Sequence, residues 1–451
     1  MSQNIAVILA GGEGNRFNSK LPKQFIKLAG KPVIEYTLEV FQNHYLIDEI
    51  FIVIKSDYED SVWEIVKKSG FNKVKKIING GADRFGSTLS ALKSLERYDI
   101  QTKVLFHDAV RPLVDEETIS NTIEALDEYN AVDTAIDATD TIIEIDDAWV
   151  IKNIPNRVYM KRGQTPQGFK LGVLQKAYQI AMERNEKCFT CDCSVVNTVL
   201  PNEKIKVVKS NEKNIKITYP IDLHIAEKYI QMGTSKSLED VDLKSLEGKH
   251  LVVFGNSRGI GREIESLAKA YGASVTGCSR HTGVDISDIK TVENFLEGIS
   301  ENIDVVINTA AVLIRKPLEL MRLEEIRKVV NINYVGAINV AYAAKKYLDK
   351  TEGMLINFTS SSYTRGRANY ALYSSSKAAI VNLTQALSDE WERVGVNCVN
   401  PERTNTPMRV ENFGYEDPAT LLDAKIVAIK TLKLALSRYS GIVLDVKNDG
   451  N

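Results

Sequence analysis

Short runs of β-branched and other apolar residues alternate along the chain with longer stretches whose apolar positions recur every three to four residues, and the alternation occurs in two series. The first series predicts strands at residues 5–9, 49–54, 74–78, 103–106 and 132–136, with helices at 33–41, 61–68 and 86–95 between them. The second predicts strands at 250–254, 273–277, 304–307, 354–358, 396–399 and 442–446. Strand then helix, repeated, builds a mostly parallel sheet covered on both faces. The expected fold class is therefore α/β, with two Rossmann-like domains. A polar, charged stretch with few apolar anchors separates the series, which predicts domains at 1–232 and 248–451 joined by a linker at 233–247.

The length of 451 residues agrees with two cores rather than one. Hydrophobic residues at 44% and charged residues at 26% exclude a disordered or fibrous chain. Lys plus Arg number 57 against 59 Asp plus Glu, so no global field favours nucleic acid as a partner. No apolar run is long enough to span a membrane, and the first residues lack the basic stretch of an export signal, so a cytoplasmic location is expected. Cys188, Cys191 and Cys193 cluster, but the histidines are distant in sequence. The expectation there is small, partly buried side chains and no metal site.

In open α/β sheets ligands collect beyond the carboxyl ends of the strands. After the first predicted strand come Ala10, Gly11, Gly12, Gly14 and Arg16, then Lys23. Such a loop lets backbone N–H groups approach phosphate oxygens, with Arg16 and Lys23 adding full charges. The spacing is not that of a dinucleotide loop, because Phe17 stands where a third glycine belongs, and a Walker-type GK[ST] is absent. His107-Asp108-Ala109-Val110-Arg111-Pro112 follows another strand, where a carboxylate beside an Arg is placed to orient a metal-bound phosphate or a sugar hydroxyl. Gly81, Asp83, Arg84 and Ser87 lie between these two loops, and Arg157, Thr165 and Lys216 beyond them.

In order and spacing these pieces, LAGGEGNRF, LPKQF, GGADR, HDAVRP, AVDTAIDATDTI, GQTPQ and NIKIT, resemble the cytidylyltransferases that act on polyol phosphates. The resemblance implies a nucleotidyltransferase fold over residues 1–232. It places Arg16 and Lys23 on the CTP phosphates, with Ala10, Gly11, Gly12, Gly14, Gly81, Asp83, Arg84 and Ser87 around the nucleotide. It has Asp108, Arg157, Thr165 and Lys216 hold the polyol phosphate or help its attack, with Arg111 beside Asp108 in the substrate site. Two anions must be forced together in such a reaction, so Arg16, Lys23, Lys216 and a Mg2+ ion brought with CTP would screen their repulsion. A segment that departs from the family's pattern is Thr190-Cys191-Asp192-Cys193.

In the second half, Gly255, Ser257, Arg258, Gly259, Ile260 and Gly261 follow a predicted strand and open a helix, an arrangement that seats a pyrophosphate on the helix amino terminus. The next strand leads to Ser279 and Arg280 instead of an acidic residue, which with Arg258 suits a 2'-phosphate and favours NADPH over NADH. Tyr373 and Lys377 share one helix face, and a lysine ammonium there is expected to pull the phenol pKa down. Ser360 lies after the strand at 354–358, placed to hydrogen-bond a carbonyl.

This set, with Asp285, Asn308 in NTAA and Asn333, looks like the short-chain dehydrogenase/reductase family. The resemblance implies Tyr373 as general acid, Lys377 on the nicotinamide ribose, Ser360 polarising the carbonyl and Asn333 supporting a proton relay. Asp285 and Asn308 join the cofactor site. Pro401-Glu402 departs from the family's Pro-Gly, and the substrate-covering segment near 405–421 is expected to be short.

A ketose phosphate reduced at its carbonyl becomes an alditol phosphate, the acceptor class of the first half. In this pairing the whole chain resembles the bifunctional reductase/pyrophosphorylases, and the resemblance implies reduction of ribulose 5-phosphate by NADPH to ribitol 5-phosphate and its activation by CTP to CDP-ribitol, with a homodimer expected by analogy with both families. Such a product feeds bacterial surface polymers. Another pentitol or methylerythritol phosphate is the alternative acceptor, and a non-catalytic nucleotide-binding second domain is the alternative of another class.

Overall fold

The computed structural model describes residues 3–12, 17, 21–186 and 188–447, the side chains of 235 and 236 excepted. The chain divides into two compact units, Met1–Ala226 and Glu227–Asn451.

The first unit is built on a mixed eight-stranded sheet. Asn4–Leu9 lies between Lys103–Asp108 and Glu49–Ile54, and Val74–Asn79 follows at the edge, all parallel. Beyond Lys103–Asp108 the sheet turns antiparallel through Gln167–Lys170, which pairs on its other side with Ala131–Asp137. Lys161–Gly163 and Ile205–Lys209 both pair with Ala131–Asp137. Period-two alternation divides the first strand between the two faces: Ile5 and Val7 enter a core with Phe106, Phe169 and Tyr178, while Ala6 and Ile8 enter another with Ile34, Phe41 and Ile119. Strand Lys103–Asp108 is buried throughout and runs two residues further than its apolar pattern indicates. Asp108 is thus the last residue of a buried strand rather than part of the loop that follows it.

The second unit carries six parallel strands in the order Ser274–Cys278, His250–Phe254, Val305–Asn308, Met354–Phe358, Gly395–Pro401, Val443–Val446. The helices Gly259–Ala270 and Ala371–Glu390 follow the first glycine loop and the Ser360 turn. Phe254 pairs with Cys278 and Asn308, so these carboxyl ends are level and open together.

The segment expected to be a linker is corrected. Helix Pro220–Ser237 runs into it, and Leu238, Leu243 and Leu246 are buried. The leucines supply the anchors that a count of polar residues hides. Within the second unit, Gln385 donates to Glu227, Lys228 pairs with Asp445 at 3.3 Å, and the Ser237 and Tyr439 hydroxyls meet at 2.9 Å.

Candidate active sites

In the first unit four charged side chains converge on the end of the strand Lys103–Asp108. Arg84 Nη1 donates to Asp108 Oδ1 at 2.7 Å, while Lys216 Nζ and Arg111 Nε reach Oδ2 at 2.9 and 3.4 Å. Burial alone would raise the Asp108 pKa, but Arg84, Lys216 and Arg111 outweigh it and hold the carboxyl far below the usual range. Both Asp108 oxygens are engaged by cations, Oδ1 by Arg84 and Oδ2 by Lys216 and Arg111. The carboxylate gathers the cations.

Arg84 is in turn held from behind. Its Nη2 donates to Asp192 Oδ2 at 2.8 Å, and Asp192 Oδ1 accepts from Thr88 and Tyr178 hydroxyls at 2.8 and 2.7 Å. Burial disfavours the Arg84 charge, yet Asp192 and Asp108 outweigh it and keep its pKa above the ordinary value. The Asp192 N–H donates to Gln167 Oε1.

Thr165 accepts from the Asp108 N–H at 3.1 Å, and its hydroxyl lies 3.0 Å from His107 Nδ1. His107 Nε2 lies 3.1 Å from the Arg111 carbonyl, and burial pushes this imidazole down to about 4. It is therefore neutral, with Nε2 donating and Nδ1 accepting the Thr165 proton. Thr165 is committed on both sides and positions the end of the strand. Asn214 Nδ2 donates to the Thr165 carbonyl at 2.8 Å, and its own carbonyl accepts from Arg111 Nη1 at 2.8 Å. Lys23 Nζ donates to the Ile217 carbonyl at 3.0 Å, which brings Lys23 and the Lys216 segment together.

The glycine loop is described only in part. Ala10 is buried, its carbonyl accepting from Gln24, and a Cβ on Gly11 would lie 3.5 Å from Ser87 Oγ, while among the described residues nothing lies within 4 Å of a Cβ on Gly12. Gly14 and Arg16 lie outside the described residues. Asp83 caps the helix Arg84–Ser94 by accepting from the Gly86 N–H at 2.7 Å, and Gly81 backs onto Gly86. The carboxylate expected near the nucleotide is thus spent at least partly on the cap.

Arg157 is not brought to the Asp108 cluster. It is exposed, donating to the Thr139 carbonyl at 3.1 Å, on an arm that includes the paired strands Glu144–Ile145 and Ile151–Asn153. Trp149 and Tyr159 on that arm are 84% and 76% exposed.

In the second unit a cavity of about 1640 Å³ lies over the carboxyl ends of the strands. Gly255, Ser257, Arg258, Gly259, Ile260 and Gly261 line one end, with Ser279, Arg280 and Asp285, and Ser360, Tyr373 and Lys377 line the other. Gly255 takes φ +87°, and a Cβ on Gly261 would come within 2.5 Å of the Gly255 carbonyl oxygen, so this cradle tolerates only glycine. Such a cradle at the start of the helix Gly259–Ala270 fits a dinucleotide pyrophosphate. Asn308 ends its strand, accepting from the Ala310 N–H at 3.2 Å. Asp285 accepts from the N–H and hydroxyl of Ser287. Thr309 of NTAA donates to the Phe254 carbonyl at 2.9 Å.

Comparison with known proteins sorts these sites. Residues 4–232 match the model of 2-C-methyl-D-erythritol 4-phosphate cytidylyltransferase, and residues 279–416 that of the short chain dehydrogenases. Over 455 aligned residues the chain is 48% identical to the bifunctional ribulose 5-phosphate reductase/CDP-ribitol pyrophosphorylase of Haemophilus influenzae, covering 99% of this chain and 96% of that protein. The chain belongs to this bifunctional family. Its first unit is also 37% identical to the 2-C-methyl-D-erythritol 4-phosphate cytidylyltransferase of Thermobifida fusca, over 51% of this chain and 94% of that one. A crystal structure of the 4-diphosphocytidyl-2C-methyl-D-erythritol synthase of Anaerococcus prevotii is 34% identical with a TM-score of 0.45, covering 51% and 99% of the two chains.

As a member of the short-chain dehydrogenases, the second unit takes a nicotinamide cofactor. Lys377 Nζ donates to the Phe358 carbonyl at 2.8 Å and lies 5.7 Å from the centre of the Tyr373 ring. The expected lowering of the phenol is corrected: burial pushes Tyr373 up to about 12 against the hydrogen bond from Ser360, and burial brings Lys377 down to about 8. Desolvation is the largest cause for both members. Asn333 sits in a π-helical stretch, Asn331–Val335, its side chain exchanging two hydrogen bonds with the Val312 backbone at 2.8 and 2.9 Å. Arg258, expected free for a 2'-phosphate, is held by Glu411.

Sequence reasoning gave no site role to Asp192, Tyr178 or Asn214, although Asp192 lay in a segment already noted and Asn214 opened the motif NIKIT. Asp192 stood between two cysteines that drew the attention. Cys193 is buried in the core, Cys191 is half-buried and Cys188 is exposed. Among the described residues no group of three His, Cys, Asp or Glu side chains converges as a metal site, and no helix is long and apolar enough to cross a membrane.

Proposed function

We propose that the chain reduces D-ribulose 5-phosphate with NADPH to D-ribitol 5-phosphate and then transfers CMP from CTP to that product, giving CDP-ribitol and pyrophosphate. The observation that carries the reading is full-length similarity to an enzyme named for both steps, in a chain with a cation cluster in one unit and a Ser-Tyr-Lys set in the other.

In the reductase unit Ser360 holds the carbonyl oxygen and Tyr373 donates the proton to it as the carbonyl carbon is reduced. A phenol raised to about 12 keeps that proton through the neutral range until the developing alkoxide takes it. Lys377 holds the cofactor ribose and supplies positive charge beneath Tyr373. Bound NADPH supplies the hydride. Arg280, beyond the end of Ser274–Cys278, supports NADPH over NADH.

In the cytidylyltransferase unit an oxygen of the ribitol phosphate attacks the α-phosphorus of CTP, and the bond to pyrophosphate breaks. Arg16, Lys23 and Lys216 offset the charge of both anions, and Arg111 is held beside Asp108 to meet the acceptor phosphate. Mg2+ is proposed as the counter-ion that accompanies CTP, with no protein cage assigned to it. A homodimer in the cytoplasm, in which a second copy covers the exposed arm bearing Trp149 and Arg157, completes the reading.

With ribulose 5-phosphate, NADPH, CTP and Mg2+ supplied together, pyrophosphate release should require NADPH. Release that ignores NADPH would overturn the order, and faster turnover of another pentulose or of methylerythritol phosphate would replace the acceptor.

A further inference from the structure

The cavity of the second unit is bordered by Arg258, Arg280, Arg367, Arg403, Arg409 and Lys447. Most of these have a partner or a place at the cofactor's adenosine end. Arg258 is paired with Glu411, and Arg280 begins the turn after the strand Ser274–Cys278. Arg409 donates to both oxygens of Glu416 at 2.6 and 2.9 Å and lies 3.9 Å from the centre of the Phe413 ring, while Arg403 lies 3.8 Å from Glu416. Among the described residues no carboxylate pairs with Arg367 or with Lys447. A phosphate dianion at the reducing end of this cavity needs a guanidinium that is not already neutralised.

We propose that Arg367 anchors the phosphate of the sugar reduced in the second unit, a proposal that rests on the ketose-phosphate reading above. Arg367 stands in the segment that joins Ser360 to the helix Ala371–Glu390, so it belongs to the same side of the cavity as the carbonyl-binding hydroxyls. Its N–H donates to the hydroxyl of the buried Ser374 at 3.4 Å, which ties the segment to the residue following Tyr373. The Tyr370 ring meets Tyr373 edge-on at 6.4 Å and Phe413 at 6.2 Å, a continuous aromatic wall from the proton donor to the Arg409–Glu416 pair. A short phosphorylated sugar lying along that wall, with its carbonyl at Ser360, would carry its phosphate a few atoms further along the cavity that Arg367 borders. Lys447 instead follows the edge strand Val443–Val446.

The test is the preference of the reductase for ribulose 5-phosphate over unphosphorylated ribulose, measured in the full chain as a ratio of kcat/KM. Arg367→Gln should lower that ratio about 10- to 100-fold, mainly through KM, as expected for loss of a hydrogen-bonded charge pair. Arg367→Lys should recover part of it. NADPH affinity, read by fluorescence, and CTP-dependent pyrophosphate release from supplied ribitol 5-phosphate report that the variant is folded. An unchanged ratio in Arg367→Gln, or a larger fall in Lys447→Gln, would overturn the assignment. A parent enzyme that oxidises no NADPH with ribulose 5-phosphate would overturn the functional reading itself, a result distinct from these.

Discussion

Arg258 and Glu411 form a two-pronged ion pair, with Nη2 to Oε2 at 3.0 Å, that joins the glycine loop to the helix Pro407–Phe413. The hydrogen bonds from Arg258 lower the Glu411 pKa and so favour the charged carboxylate. A 2'-phosphate arriving at Arg258 has to compete with it.

Removal of that competitor should help the cofactor. Glu411→Gln is expected to tighten NADPH binding by about 2- to 5-fold, the scale of an exposed ion pair, with a smaller change for NADH. Fluorescence titration of both cofactors checks this, and equal changes for the two would count against a 2'-phosphate at Arg258.

The Asp108 cluster sets a pH signature. A carboxyl with its folded pKa depressed contributes stability that is fully present above its unfolded value, near ~3.9, and is lost as pH falls through the folded value. Asp108→Asn should therefore melt below the parent at pH 7, and the gap should narrow only below about pH 4. Pyrophosphate release should fall by about 100-fold or more as Lys216 and Arg111 lose their common partner, while NADPH oxidation in the same chain persists.

For the reductase, Tyr373→Phe should lower NADPH oxidation by about 100- to 10000-fold and spare cytidylyl transfer. Lys377, brought down to about 8, loses its charge as pH rises through that value. The kcat/KM for the ketose phosphate should then decline above about pH 8. A profile flat to pH 10 would remove Lys377 from the proton chemistry.

Asp192 lies behind the cluster, fully buried, and removing it takes away one of the two carboxylates that hold the Arg84 guanidinium, leaving Asp108. Breaking a buried pair costs up to about 3–5 kcal/mol, so Asp192→Ala should lower the melting temperature and weaken cytidylyl transfer. Tyr178→Phe removes one of the bonds to Asp192 and should show a milder form of both losses.

The parallel strands were legible because their cores are two-sided: runs such as 250–254 and 354–358 are apolar at nearly every position, and the structure has them as His250–Phe254 and Met354–Phe358. Strands Lys161–Gly163 and Ile205–Lys209 were not legible, because their residues are largely exposed and carry lysines. Motif residues such as Asp108 and Tyr373 were visible from their position after strands or from their spacing. What those residues do was less visible. Spacing places Lys377 beside Tyr373 but carries no measure of the desolvation that governs both, and nothing in a one-dimensional pattern joins Arg84 to Asp192, 108 positions away.

The helix Pro220–Ser237 fixes where the two activities can be parted. Glu227, Lys228 and Ser237 all bond to side chains of the reductase unit, although in sequence they precede its first strand by many residues. Expression of the reductase half from residue 248 would strip away a brace along with Leu238, Leu243 and Leu246, and expose what they cover. A fragment that begins upstream of Glu227 keeps its own buttress, and that is where anyone dissecting the two catalysts should cut.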